Sequence, residues 1–165
     1  MILPVLRYPH PTLTRKSLPV EDFNAALRTL ANNMAETMYA NEAIGLAAPQ
    51  VGVLQRLIVV DIGQSTKQPK LYVLVNPVLE VDTKEAVVLI AEGCLSLPGM
   101  KGNPPRYKRV KVVAQDVYGI PVTVEAEGLL AVCLQHECDH LEGLLYIDRL
   151  SRLKRKLLLR DAGYR

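Results

Sequence analysis

An α+β fold is the class the sequence predicts. Strand-like runs gather between residues 57 and 127, bracketed by helical patterns, and do not alternate with helices as a doubly wound sheet requires. Two of those runs flank Tyr118-Gly119, a pair suited to a tight hairpin turn. The length of 165 residues suits one domain with a sizeable core, and no internal repeat or linker interrupts it.

The first helix is expected over residues 22–40. Phe23, Leu27, Leu30, Met34 and Met38 recur at helical spacing, and Asp22 can cap the start. Residues 41–52 are rich in Gly, Ala and Pro and read as an ordered loop or bent edge. Strands are expected at 57–62, 71–80 and 86–91; Pro77 makes the second an edge or a bulge. Residues 98–106 hold three Pro and two Gly and read as a loop. Strands at 110–117 and 122–127 form the hairpin, and a second helix follows over 128–141. A short apolar piece at 144–147 leads to a basic C-terminal helix with Ser151 as its N-cap.

Composition excludes several classes. With 49% hydrophobic and 22% charged residues, the chain is neither disordered nor collagen-like. No apolar run reaches the ~18–20 residues that span a bilayer, so no membrane role is expected. The first residues lack the basic-then-apolar order of a secretory leader, and three Cys make a disulfide framework unexpected. A reduced, cytoplasmic setting is the expectation. The net charge of +3 is modest, but residues 148–165 hold seven basic and two acidic side chains. That segment can touch RNA or phosphate, or it is a solvated helix face. Without Trp, and with one Phe, the rest offers no stacking platform, and direct DNA binding is not expected.

The chemistry concentrates in His136-Glu137-Cys138-Asp139-His140. Two His at i and i+4 share one helix face and can grip one metal ion, while the Glu beside the first can move a proton. Leu129, Cys133, His136 and His140 form one stripe, and an unpaired His pair facing a core would be costly. A catalytic site needs a third protein ligand and an open position. The extension that would supply a third His has Tyr146 in its place. Asp148 and Asp161 lie among basic residues of the tail. Among the cysteines, Cys94 is the best placed, at a strand end turning into a Gly/Pro loop; a buried free thiol is the alternative.

Three separated motifs, in order, make the chain resemble the peptide deformylase family. G-φ-G-φ-A-A-x-Q is matched by residues 43–50, except that Ala43 replaces the first Gly. E-G-C-φ-S is matched by Glu92 to Ser96, and Q-H-E-x-D-H by Gln135 to His140. The N-terminal Val5-Leu6, Tyr8-Pro9, Pro11 and Leu13 are also similar, so the resemblance runs to about residue 150.

The resemblance implies antiparallel β-sheets packed around a central helix carrying H-E-x-x-H, with a C-terminal helix. It implies removal of the N-formyl group from formyl-methionine on newly made polypeptides. Cys94, His136 and His140 would then hold one divalent metal, Fe2+ in cells, with Zn2+ or Ni2+ possible after isolation. Glu137 would be general base and then acid. Gln50 and the Leu95 N–H would stabilise the oxyanion, and Gly45 would let the substrate backbone approach. Ile44, Ile90, Leu129 and Cys133 would line the methionine pocket, with Glu92 and Gly93 beside it and Arg106 meeting the peptide beyond. Asp139 would orient a ligand imidazole or hold the helix. The basic tail resembles tails that dock on the ribosome. If the position of Ala43 needs φ > 0, its methyl costs about 1 kcal/mol or more.

Overall fold

Two helices cover opposite faces of one antiparallel sheet, and the buried one carries the His-Glu motif. The computed structural model describes residues 1–164. A 3-10 turn at Pro11–Thr14 precedes α1 (Ala25–Ala40), whose Asn24 cap accepts a hydrogen bond from the Leu27 N–H at 3.0 Å. The expected cap was Asp22; Asn24 takes that place because its side chain reaches the orphan N–H. Next come β1 (Gly45–Ala47), a 3-10 turn at Ala48–Val51, β2 (Leu57–Val60), the single turn α2 (Gly63–Thr66) and β3 (Tyr72–Val81). The chain continues through β4 (Val87–Val88), β5 (Glu92–Cys94), β6 (Leu97–Gly102), β7 (Arg106–Tyr107), β8 (Arg109–Gln115) and β9 (Pro121–Glu127). It ends with α3 (Gly128–Leu141), a 3-10 turn at Tyr146–Arg149 and α4 (Arg152–Asp161), capped by Ser151 as expected.

The main sheet runs β1-β2-β3-β8-β9, with every neighbouring pair antiparallel. β2 is buried at all four positions because both of its faces are covered. Leu57 and Val59 pack towards α1 with Met34 and Met38, while Ile58 and Val60 pack towards α3 with Leu134 and Leu141. β8 alternates instead: Val110, Val112 and Ala114 are buried, and Arg109 and Lys111 face water. A third apolar cluster of Leu97, Met100, Tyr146, Ile147 and Leu159 seats α4 against the loop after Cys94.

Two segments depart from expectation. Only Val87 and Val88 of residues 86–91 form a strand, pairing with β7. Residues 97–102 are strand rather than loop, because β6 pairs with β5 through Glu92↔Gly102 and Cys94↔Leu97. Pro98 is tolerated there because the pairing is broken between those two contacts and the pair stands apart from the main sheet. Pro77 falls in a break of register between Val75 and Val78 of β3, the expected bulge.

Candidate active site

α3 is buried from Ala131 to Leu141, polar residues included. It follows β9 without a connecting loop, a turn made at Gly128 with φ +64°. Burial of His136, Glu137, Asp139 and His140 in a core helix is costly unless each has a partner. For His136 and Asp139 the partners come from β5, β7 and the 3-10 turn before α4. His136 Nδ1 lies 2.8 Å from Glu92 Oε1, which leaves its Nε2 free to face Cys94. Arg106 holds both oxygens of Glu92 at 2.8 and 2.9 Å and reaches Asp139 Oδ2 at 2.7 Å. Arg149 closes the chain of charges on Asp139 at 2.8 and 3.1 Å.

Cys94, at the end of β5, completes a three-residue cluster. One potential ligand atom from each of Cys94, His136 and His140 lies within 4.8 Å of the others, and Cys94 Sγ is 3.5 Å from His140 Nε2. One thiol and two imidazoles form a donor set that suits a transition metal. Burial opposes charge on His136, yet its contacts with Cys94 and Glu92 raise its pKa to about 10. Burial and the neighbouring His136 push His140 well down. The other two thiols are poor candidates: burial drives Cys133 well up and Cys138 to about 12. His10, the third histidine, caps the first 3-10 turn instead.

Glu137 sits beside the cluster. Burial pushes its carboxyl up to about 7, with His136 opposing and Glu92 adding to the rise. Its Oε2 is buried and has no hydrogen-bond partner among the described residues. Gln50, on the turn after β1, is also buried. Its Oε1 accepts from the Ala47 N–H at 3.0 Å, and its Nε2 donates to Ser96 Oγ at 3.1 Å and faces Cys94 Sγ at 3.5 Å. The amide therefore presents its donor end to the cluster.

A cleft of about 1020 Å³ opens onto these groups. Ile44, Gly45, Leu129 and Cys133 line one part, and Glu92, Gly93, Cys94 and Leu95 another. Gln50, His136 and Glu137 face it as well. A groove on the sheet at Glu80, Lys111 and Glu127 is smaller, and its charges pair with one another.

Two predicted pocket residues are corrected. Arg106 is 3% exposed and does not line the cleft; its guanidinium is spent on Glu92 and Asp139. Ile90 is half-buried and off the cleft wall, whereas Ala91 lines it. Asp139 is buried between Arg106 and Arg149, so it acts on the helix and reaches His136 only through Arg106 and Glu92. Sequence reasoning gave no role to Ser96, Gln135 or Arg149. Ser96 orients Gln50, and Gln135 clamps β7 by exchanging hydrogen bonds with the Tyr107 backbone at 2.9 and 2.8 Å. Their proximity in sequence to Cys94 and His136 was the available signal.

The sequence model of the polypeptide deformylase family matches residues 2–156. The chain belongs to this family. The family removes the formyl group from N-terminal methionine and is metal-dependent. A peptide deformylase of Thermodesulfovibrio yellowstonii is 49% identical over 156 residues, 94% of this chain and 93% of the relative. One from Azotobacter vinelandii is 46% identical over 154 residues, 93% and 90% of the two chains. The crystal structure of a peptide deformylase from Legionella pneumophila superposes with a TM-score of 0.90 at 42% identity, over 98% of this chain and 94% of the other. A Synechococcus elongatus peptide deformylase in complex with actinonin gives a TM-score of 0.91 at 38% identity, over 99% and 89%. No helix among the described residues is long and apolar enough to cross a membrane.

Proposed function

We propose that this chain is a single catalytic domain in which Cys94, His136 and His140 hold one divalent metal and Glu137 moves the protons of formyl-methionine hydrolysis. The convergence of these three donors beside the buried Glu137 carries the reading. When bound, the ion supplies Lewis acidity, making hydroxide available near neutral pH and polarising the formyl carbonyl. Glu137 takes one proton from the attacking water on a carboxylate oxygen and later returns it to the departing methionine nitrogen. The Gln50 Nε2–H and the Leu95 backbone N–H donate to the oxygen that becomes negative, and one such donor is typically worth about 3–4 kcal/mol of barrier. Formamide and water balance formate and a protonated amine: the water oxygen joins the formyl carbon as the C–N bond breaks, one water proton reaches the amine nitrogen through Glu137, and the other leaves formic acid as it ionises.

Ile44, Leu129 and Cys133 accept the methionine side chain along the apolar part of the cleft, with Glu92 and Gly93 at its edge. Glu92 works chiefly through its side chain, which fixes the His136 ring. Fe2+ is the expected ion in cells, with Zn2+ or Ni2+ after isolation; the donor set accepts each. Newly made formylated peptides in the cytoplasm are the substrates. The exposed cations of α4 (Arg152, Lys154, Lys156 and Arg160) suit a contact with ribosomal phosphate.

The test compares formyl-Met-Ala-Ser with acetyl-Met-Ala-Ser on protein purified anaerobically with its metal counted. Formate release with one metal per chain and no acetate release is expected. Glu137→Ala is expected to lower turnover by about 10²–10⁴-fold while the metal stays bound. Comparable turnover in that variant would remove Glu137 from the mechanism.

A further inference from the structure

We infer that Gly45 is a positioning residue for the Glu137 carboxylate: its missing side chain is the space that carboxylate occupies. This rests on the reading of Glu137 as general base. A Cβ built on Gly45 would lie 2.5 Å from Glu137 Oε1 and 2.9 Å from both Cδ and Cγ, and these are the three nearest atoms it would meet. Separations below 3.0 Å are not tolerated, so one partner must move. Gly45 is not among the residues with positive φ, so its backbone would accept another residue; the restriction is one of volume.

Both backbones are held in place by main-chain hydrogen bonds, whereas the carboxylate is the far end of a side chain. Gly45 is held in β1 opposite Val60, with Leu46 opposite Val59 and the Ile44 carbonyl accepting from the Asp61 N–H at 2.9 Å. Glu137 is anchored in the buried middle of α3 between the two histidines of the cluster. The carboxylate itself is therefore what a methyl group would displace. Two residues earlier Ala43 carries such a methyl at the cleft. The role that the family resemblance implies for Gly45, the approach of the substrate backbone, makes a different prediction, and the two separate cleanly.

The experiment is a double-mutant cycle of Gly45→Ala and Glu137→Ala on the metal-loaded protein, read three ways. For Gly45→Ala alone, kcat on formyl-Met-Ala-Ser is expected to fall about 10²-fold, as for a catalytic group displaced by an ångström. KM, the Kd of Met-Ala-Ser and the metal content are expected to stay near wild type. In the Glu137→Ala background, which removes all three clashing atoms, Gly45→Ala is expected to cost nothing further. The melting temperature should follow the same cycle, lowered by Gly45→Ala in the wild-type background and unchanged in the other. Equal losses in both backgrounds, or a rise in KM and Kd with kcat preserved, would overturn the inference. If the wild type releases no formate, the function is wrong while the melting cycle still decides whether residues 45 and 137 compete for one space.

Discussion

Ala43 stands where the related motif has glycine, and the backbone explains why the methyl is accommodated. The residue with positive φ in this stretch is Glu42, at 54°, and Ala43 is not among those with positive φ. The feared cost of about 1 kcal/mol for an alanine in the left-handed region therefore does not arise. Tyr146 shows a similar reversal. It occupies the position at which other H-E-x-x-H proteins place a third histidine, but here its ring stacks on His136, with centroids 6.0 Å apart and planes at 26°. It is 1% exposed, and its hydroxyl is buried without a hydrogen-bond partner among the described residues. Burial, then the nearby Cys94 and Glu92, push the phenol up to about 12, so it stays neutral. A buried hydroxyl left unpaired costs about 1–3 kcal/mol, and Phe keeps the ring without that cost. Tyr146→Phe is therefore expected to leave turnover intact and to hold or raise the melting temperature, by about 2–4 °C for each kcal/mol in a chain of this size. A drop of that size in thermal denaturation would show that the hydroxyl has a partner in the folded protein.

Among the elements, α3 was the most legible. Its residues 128–141 are an unbroken helical pattern that starts at a glycine, and the observed helix has the same limits. β8 and β9 were legible because alternation and the Tyr118-Gly119 turn agree, and Gly119 has φ +82°. β5 and β6 were not. They pair only with each other, so neither carries the alternating pattern of a sheet packed over a core, and Pro98 with Gly99 argued for a loop. The charge chain from His136 to Arg149 was hidden for a related reason: it joins residues from four separate segments, and Arg106 lies in a proline-rich stretch that reads as solvated. The contact between the end of α1 and the turn after β2 was equally invisible. There Tyr39 Oη donates to Asp61 Oδ2 at 2.6 Å, while Asp61 Oδ1 accepts from the Gly63 and Lys70 N–H groups at 2.8 and 3.1 Å. Burial, with the hydrogen bond to Asp61, pushes Tyr39 up to about 12; burial alone would raise Asp61, but its three donors hold it below 3.8. The folded state thus keeps the Tyr39 proton more tightly than the unfolded chain, so this contribution is whole below pH 10 and is lost as pH rises towards 12. The Asp61 contribution runs the other way, whole above its unfolded value near pH 4 and lost in stronger acid. Tyr39→Phe should therefore reduce the loss of stability between pH 9.5 and 11.5 seen by denaturant titration, relative to wild type. Identical slopes for the two proteins would mean the phenol does not titrate with folding.

At the scale of the whole molecule, the fold brings together motifs that the chain keeps far apart. Gln50, Cys94 and His140 come from a turn, a small hairpin and the central helix, and the N-terminal segment stitches the three together. The Leu6 N–H donates to the Gln50 carbonyl at 2.7 Å, the Tyr8 N–H to the Ser96 carbonyl at 2.8 Å and the Ser17 N–H to the Leu141 carbonyl at 2.9 Å. The motifs themselves were legible as three short strings of residues. Their convergence was not, because it depends on backbone contacts that any side chain can make. The three proposed ligands add a different kind of tie. Cys94 belongs to the β5–β6 pair, which lies outside the main sheet, and both histidines belong to α3, so an ion held by all three joins a peripheral unit to the core. A ligand that binds only the folded state stabilises it by about 2.7 kcal/mol at a free concentration 100 times its Kd. For a chain of this length that corresponds to roughly 5–11 °C in melting temperature. Protein stripped with a chelator is expected to melt lower by about this much, and hydrogen exchange should rise first in residues 92–102. Cys94→Ala is expected to melt at one temperature with or without the ion, since two imidazoles on one helix no longer bridge two units. Equal melting of stripped and loaded wild-type protein would show that the ion does not tie the hairpin to the helix.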